Sequence, residues 1–368
     1  MSHKTASPFP RRRTRRIMIG RIAVGDGAAI SVQSMTKTDT RDAAATAAQI
    51  RRLERAGCEV IRLAVPDIRA AEALRGLRAG TKTALVADIH FDHKLALAAL
   101  EAGVDGLRLN PGNIGSRKKI EEVVKAARER SVPIRIGVNS GSLEKDLLEK
   151  YGRAVPEALA ESALRHVRIL EDLDFHLIKI SLKASDIPRT LEAYRLVAGR
   201  VDYPFHAGIT EAGLLLPGTV KSSAGLALLL NEGLADTIRV SLTAPPENEV
   251  DVGWTILRSM GIRRRGVELV SCPSCGRCEV DLPGIASAVA ERLSGLPHDL
   301  TIAVMGCMVN GPGEAKEADI GLACGRGAGV VFKKGRIHRR LPEKNLVDGF
   351  VEDVLELAGQ SPERGPGI

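Results

Sequence analysis

The chain has 368 residues, 44% of them hydrophobic, which excludes a disordered chain and is long enough for a large core and more than one domain. One Trp, three Tyr and six Phe are too few for a base-stacking nucleic-acid platform, and no apolar run reaches the roughly 18 residues of a membrane span. The formal net charge of +8 could mean nucleic acid, an anionic membrane or an anionic small substrate as partner.

Residues 1–29 read as a basic N-terminal arm. Its run Arg11-Arg12-Arg13-Thr14-Arg15-Arg16 is expected to be a mobile, solvated tail and not a specific binding site. The stretch lacks the apolar segment that a signal peptide carries after its charges. The protein is therefore expected to be soluble and cytoplasmic, where clustered cysteines mean metal or catalysis and not disulfides.

Over residues 30–262 one unit repeats: a short β-branched run, a polar loop and an amphipathic helix. Strands are predicted at 30–35, 59–63, 84–89, 106–109, 134–138, 177–182, 205–209 and 237–242, and helices at 42–56, 68–78, 116–130, 156–170, 187–198 and 220–231. Gly57, Gly80, Gly103 and Gly233 punctuate helix ends. Eight β–α units over about 230 residues match an α/β (β/α)8 TIM-type barrel. An open doubly wound sheet is the alternative, but no G-x-G-x-x-G or Walker pattern supports it. Residues 263–358 change rhythm into a smaller α+β domain, with strands at 267–270, 301–304, 320–324 and 329–333, and helices at 284–293 and 345–356. Residues 359–368 read as a frayed tail.

A (β/α)8 barrel places its chemistry at the C-terminal ends of the strands, where residues i and i+2 face the same way. The second strand ends on Arg62. The third offers Asp88 and His90, the fourth Arg108 and Asn110, the fifth Arg135 and Asn139, and the sixth Lys179, Ser181 and Lys183. The seventh leads into Thr210 and Glu211, and the eighth carries Arg239 and Ser241. Barrel interiors are normally branched and apolar, because an unpaired buried charge is costly. Cations converging from so many strands call for an anion, and Arg matches phosphate oxygens bidentately. Outward placement, or pairing with Asp88 and Glu211, would explain one such strand but is a poor account of five. Asp88 and His90 suit acid–base work, a metal pair or a loop-fixing hydrogen bond. Glu211 is the best-placed acid or base, with helix capping or pairing to Lys183 as the structural alternative. Residues 110–115 open a helix with N–H groups that could hold an anion, although Asn, Pro and Gly also make ordinary turns.

Cys272 and Cys275, with Cys307 about thirty residues on, give a C-x-x-C and a distant third thiol, with Cys278 a possible fourth. Structural zinc usually shows two paired knuckles. Three thiolates with a weak fourth ligand suit an iron–sulfur cluster better, and Glu314, beyond the Gly311-Pro312-Gly313 turn, could supply that oxygen. Cys58 reads as a small buried residue.

Several words recur together here: Asp88-Ile89-His90-Phe91-Asp92, Asn110-Pro111-Gly112-Asn113-Ile114-Gly115, Gly137-Val138-Asn139-Ser140-Gly141-Ser142-Leu143-Glu144, Lys183-Ala184-Ser185-Asp186, Gly208-Ile209-Thr210-Glu211-Ala212-Gly213 and Asn310-Gly311-Pro312-Gly313-Glu314. In this order the chain closely resembles the bacterial 4-hydroxy-3-methylbut-2-enyl diphosphate synthases of the methylerythritol phosphate route to isoprenoids. The resemblance implies a barrel joined to a cluster domain similar to the sulfite reductase repeat. It implies a 4Fe–4S cluster held by Cys272, Cys275, Cys307 and a displaceable Glu314. It also implies a diphosphate gripped by Arg62, Arg108, Arg135, Asn139, Lys183, Arg239 and Ser241, with Asp88, His90 and Asn110 as further substrate contacts and Glu211 as an acid/base. The implied partners are a flavodoxin or ferredoxin donor and a second copy of the chain, whose cluster domain caps this barrel in a homodimer. Neither nucleic acid nor membrane enters. Cys278 lies outside the implied ligand set and reads as a neighbour.

Overall fold

The computed structural model describes residues 8–359; residues 1–7 of the expected arm and 360–368 of the expected tail lie outside the described residues. The chain divides after Arg263 into two compact units.

The first unit opens with a two-stranded antiparallel hairpin, β1 (Ile17–Ile19) and β2 (Ile22–Val24). Eight parallel strands follow: β3 (Ser31–Met35), β4 (Val60–Ala64), β5 (Ala84–Asp88), β6 (Gly106–Arg108), β7 (Ile134–Asn139), β8 (Ile178–Lys183), β9 (His206–Ala207) and β10 (Thr237–Ile238). Their order is β8-β7-β6-β5-β4-β3-β10-β9, and a parallel bridge between Ile180 and Phe205 brings the two ends of the sheet together. This is the near-closed (β/α)8 barrel. The helices alternate with the strands: α1 (Ala43–Ala56), α2 (Ile68–Ala79), α3 (His93–Glu101), α4 (Arg117–Glu129), α5 (Lys145–Tyr151) and α6 (Pro156–Glu171), then α7 (Ile187–Ala198), α8 (Leu215–Asn231) and α9 (Pro246–Ser259). Asp42, Asp67, Asp92 and Asp186 stand before α1, α2, α3 and α7, and each carboxylate accepts from a first-turn N–H.

Strand alternation sorts the side chains. Ile61, Leu63, Leu85 and Ala87 belong to the large cluster packed with the helices. Val60 and Val86 share the inner face with Arg62 and Asp88 and sit one layer below them. There they pack with Ala84 against Ile17, Ile19 and Val24 of the hairpin. The hairpin thus plugs the N-terminal end of the barrel with apolar groups and keeps water from reaching the inner face from below.

The hairpin went unrecognised in sequence, and the expectation of a mobile arm ahead of it is corrected. Arg11 donates to Asp236 at 2.8 Å, and Arg15 to Asp202 at 2.8 Å. Arg12 lies 4.1 Å above the Phe205 ring and donates to the carbonyls of Val201 and Tyr203. An arginine run reads as solvated when its acceptors are far away in sequence. These acceptors come from the segments leading into β9 and β10.

The second unit carries a five-stranded sheet: β11 (Val267–Ser271), β12 (Leu300–Met305), β13 (Ile320–Gly325), β14 (Ala328–Lys333) and β15 (Arg336–Pro342), in that order. The first three are parallel and the last two antiparallel, with a bulge at Val331/Phe332. Ile302, Leu322 and Val331 face α10 (Leu282–Arg292) and α12 (Leu346–Gly359) through Val289, Phe350 and Val354. The opposite face, with Ala323 and Phe332, receives Ala315 of α11 (Gly311–Glu317). β15 and α11 were not foreseen, because β15 is almost wholly exposed and lacks an apolar alternation.

Arg12→Ala should lower the stability of the first unit by about 1–3 kcal/mol, through the loss of two part-buried acceptor pairings and the ring contact. Thermal and urea unfolding read this directly; a change within about 0.5 kcal/mol would return the run to a solvated tail.

Candidate active site

The inner faces of the strands meet at the C-terminal end in a cavity of about 180 Å³, lined by Arg62, Asp88, Arg108, Arg135, Lys183 and Arg239, among others. Asn139, Ser181, Thr210, Ser241 and His90 share the lining. A volume near 30 Å³ per water makes this room for about six waters or one small anion with a short carbon skeleton.

Asp88 is the hub on one side. Arg62 Nε lies 3.4 Å from one carboxylate oxygen, and Arg108 Nη1 lies 3.3 Å from the other. His90 Nε2 is 3.6 Å from that second oxygen, but its ring is 60% exposed. Glu249 of α9 is the hub on the other side. It is fully buried and receives Ser34 Oγ at 2.9 Å, the Leu242 N–H at 3.1 Å, Lys37 Nζ at 3.1 Å and Arg239 Nη2 at 3.5 Å. Between the hubs stand groups with no carboxylate. Arg135 donates Nη1 to Ser181 Oγ at 2.9 Å, while its Nε and Nη2 have no partner. Lys183 Nζ is 3.4 Å from His206 Nε2. Lys179 Nζ, buried one layer deeper, has no partner, nor has Arg239 Nε.

Six cations therefore face one another with two carboxylates among them, one of which, Glu249, also holds Lys37, so buried positive charge is in excess. The consequences appear in the titration behaviour. Burial, aggravated by the neighbouring cations, drives Arg135, Lys179 and Lys183 well below their ordinary values. Burial brings Arg62 down to about 10. Burial alone would push Asp88 up, yet Arg62, Arg108 and Arg135 hold it below the usual carboxylate value, so it stays ionised. Each unpaired buried cation is costly, and an anion that accepts from the free N–H groups removes that cost.

Two glycines let the backbone close on this cluster. A Cβ at Gly137 would fall 2.6 Å from Arg108 Nε, and one at Gly208 would fall 2.3 Å from the Arg239 carbonyl oxygen. At position 137 the guanidinium lies flat against β7 and donates Nη2 to the Gly137 carbonyl at 2.8 Å.

Not every expected residue joins the cavity. Asn110 spends its side chain on Gly137, donating to the carbonyl at 3.1 Å and accepting from the N–H at 2.8 Å. Glu211 is exposed in a left-handed backbone conformation (φ 52°) and is not among the lining residues. The N–H groups of residues 112–114 are already paired, with His166, Asn110 and Pro111, so these three are not free to hold an anion. Glu249, Lys37 and His206 went unrecognised. Glu249 sits in the acidic first turn of a helix, where carboxylates are common for dipole reasons, and nothing local marks it as a barrel partner.

In the second unit, Cys272 and Cys307 follow the neighbouring parallel strands β11 and β12, whose ends are paired at Ser271 and Val304. The loops carrying them therefore leave the same end of the sheet. The Gly306 N–H donates to Cys272 Sγ at 3.5 Å. Cys307 is held below the usual thiol range by the N–H groups of Asn310 and Val309. Cys275 is lowered by the N–H and guanidinium of Arg277. Thiols favoured as thiolates, with N–H groups aimed at sulfur, are the donor chemistry that a metal or iron–sulfur centre requires. Glu314 is exposed on the first turn of α11. Cys278 turns its sulfur to the Val280 carbonyl at 3.3 Å and against Gly306. Cys324 is buried in β13 and pushed up to about 12, and Cys58 is buried under β3 and β4.

No helix among the described residues is long and apolar enough to cross a membrane. The GcpE TIM-barrel domain matches residues 14–254, and the GcpE protein C-terminal domain matches residues 268–356. The chain is 58% identical over 348 residues to the 4-hydroxy-3-methylbut-2-en-1-yl diphosphate synthase (flavodoxin) of Geobacter sulfurreducens, covering 95% of this chain and 99% of that one. It is 56% identical over 362 residues to the protein of the same name from Acidithiobacillus ferrooxidans, covering 98% and 99%. Among solved structures, a dihydropteroate synthase from Stenotrophomonas maltophilia is similar over 67% of this chain and 99% of that one, at 14% identity and a TM-score of 0.47, a likeness too slight to carry an inference. With both domain families matched in order over nearly all of its length, the chain belongs to the GcpE family.

Proposed function

We propose that this chain catalyses the two-electron reductive ring opening and dehydroxylation of 2-C-methyl-D-erythritol 2,4-cyclodiphosphate to 4-hydroxy-3-methylbut-2-enyl diphosphate in isoprenoid biosynthesis. The reaction takes up two electrons and two protons. A carbon–oxygen bond to the diphosphate breaks, a neighbouring hydroxyl leaves as water, and the carbon–carbon double bond forms between the two carbons. The observation that carries the reading is the excess of buried positive charge with unpartnered N–H groups at Arg135 and Arg239. A diphosphate is the anion that satisfies several such groups at once.

In this reading Arg62, Arg108, Arg135, Lys183 and Arg239, with Asn139 and Ser241, grip the diphosphate. Asp88 keeps Arg62 and Arg108 oriented before it arrives, and His90 lies beside them at the wetter rim. Asn110 acts by fixing β7. Glu211, exposed at the rim, serves as the acid/base. Cys272, Cys275 and Cys307 hold a 4Fe–4S cluster, with Glu314 as a displaceable oxygen ligand. When bound there, such a cluster would supply the one-electron chemistry that a two-electron reduction draws on. The lowered thiols Cys275 and Cys307 favour the thiolate form that binding requires. The electron donor is a flavodoxin or ferredoxin, drawn by the basic balance of the chain. The assembly is a cytoplasmic homodimer.

Protein isolated without oxygen should be brown, carry iron and sulfide in equal amounts and bleach with dithionite. A colourless protein with stoichiometric zinc would end the cluster assignment. Arg135→Met should raise KM for the cyclodiphosphate at least about tenfold, the loss of a charged hydrogen bond, and unchanged KM would remove Arg135 from the grip. Glu314→Gln should retain iron and lose most turnover; full turnover would make the cluster structural.

A further inference from the structure

The loop after β6 is anchored from behind by a side chain of α6. The Gly112 N–H donates to His166 Nδ1 at 3.2 Å, and His166 Nε2 lies 3.2 Å from Glu144 Oε1. His166 is 3% exposed. Glu144 follows β7 and also accepts from Ser162 Oγ at 3.1 Å. One imidazole thus joins the loop after β6 to the loop after β7. The tautomer follows from the partners: Nδ1 accepts from an amide, so the proton sits on Nε2 and faces the carboxylate. Burial would raise Glu144, yet the contacts from His166 and Ser162 bring it down to about 2, so the acceptor stays ionised. Position 112 has to be glycine for this approach, because a Cβ there would fall 2.8 Å from His166 Cε1.

The anchor bears on the cavity through few steps. Gly112 is two residues from Asn110, whose amide clamps both backbone groups of Gly137. The Gly137 carbonyl also receives Arg108 Nη2 at 2.8 Å. Two residues further along β7 stands Asn139, which lines the cavity, and the chain then runs through a short 3-10 turn to Glu144. Arg108 and Asn139 therefore lie on one path of hydrogen bonds and short backbone links that closes on His166.

We propose that His166 is a positioning residue for the anion cradle: it accepts from Gly112 and donates to Glu144, and so holds Arg108 and Asn139 at the geometry that receives the diphosphate. The inference rests on the reading of the cavity as a diphosphate site. A buried histidine that only fills space would tolerate any substitution of its size, and the two nitrogens allow that to be separated. Asn can place an acceptor at the Nδ1 position, whereas Gln reaches toward Glu144 and leaves the Gly112 N–H unmet.

The test uses the full chain. Calorimetric binding of the cyclodiphosphate and of inorganic diphosphate is compared for wild type, His166→Asn and His166→Gln, alongside KM and kcat. The Gln variant should lose about tenfold in affinity and KM with kcat little changed, and the Asn variant about threefold or less, as expected for one buried donor left unpaired. Equal losses, no losses or the reverse order would overturn the proposal. Hydrogen exchange on the wild type guards against variants that do not fold: the Gly112 amide should be protected, and exchange at the free-loop rate would overturn the proposal without any variant. A wild type that binds neither probe while Gly112 is protected sinks the diphosphate reading, and the role of His166 in that grip with it. Binding with an unprotected Gly112 sinks the His166 inference alone.

Discussion

Like charges crowded into a closed barrel are the constraint around which the first unit is built. Arg62, Arg108, Arg135, Lys179, Lys183 and Arg239 face one another across a space where Asp88 and Glu249 are the near carboxylates. In isolation such a cluster works against folding, since every cation loses hydration and repels its neighbours. The barrel tolerates it because the repulsion is confined to one end. The apolar hairpin plug and the layer of Val60 and Val86 below it belong to an ordinary core. Function at the top is supported by packing at the bottom.

That division explains why the basic N-terminal segment is structural. Its arginines sit beside the entries to β9 and β10, the two shortest strands in the barrel. Arg12 against Phe205 and Arg11 against Asp236 tie these segments to the hairpin. The positive charge near the N-terminus and the positive charge in the cavity therefore do unlike things. Arg11, Arg12 and Arg15 have found acceptors within the fold, although Arg12 Nε is left without one, while the cavity has donors without acceptors at Arg135, Lys179 and Arg239.

The second unit solves a related problem with thiols. Donors must be kept as anions and kept apart from other sulfur chemistry. Adjacent parallel strands bring two cysteine-bearing loops to one sheet end, and backbone N–H groups lower Cys307 there. Cys324 is buried in the sheet and pushed the opposite way, and Cys278 is turned toward Val280. Five free thiols with different surroundings thus divide into those available to a metal and those withheld from it.

The sequence by itself determined the eight β–α units, the two-part organisation and the polar character of the strand ends. Those features are periodic or local: a strand run, a helix cap and an i, i+2 pair at Asp88 and His90 are each legible within a few residues. The cysteine spacing was legible for the same reason. Only the tertiary structure decided what each side chain meets. Glu249 on α9 and His166 on α6 went unrecognised in the sequence and became partners of the cavity and its loops. The residue 110–115 loop could be read as an anion holder or as an ordinary turn, and the N–H groups of residues 112–114 proved to be already paired. Arg11, Arg12 and Arg15 read as part of a tail and became a strap. Periodicity states which residues share a face. It carries no information on what lies opposite that face, because the partners come from segments tens to hundreds of residues away and meet only when the barrel closes.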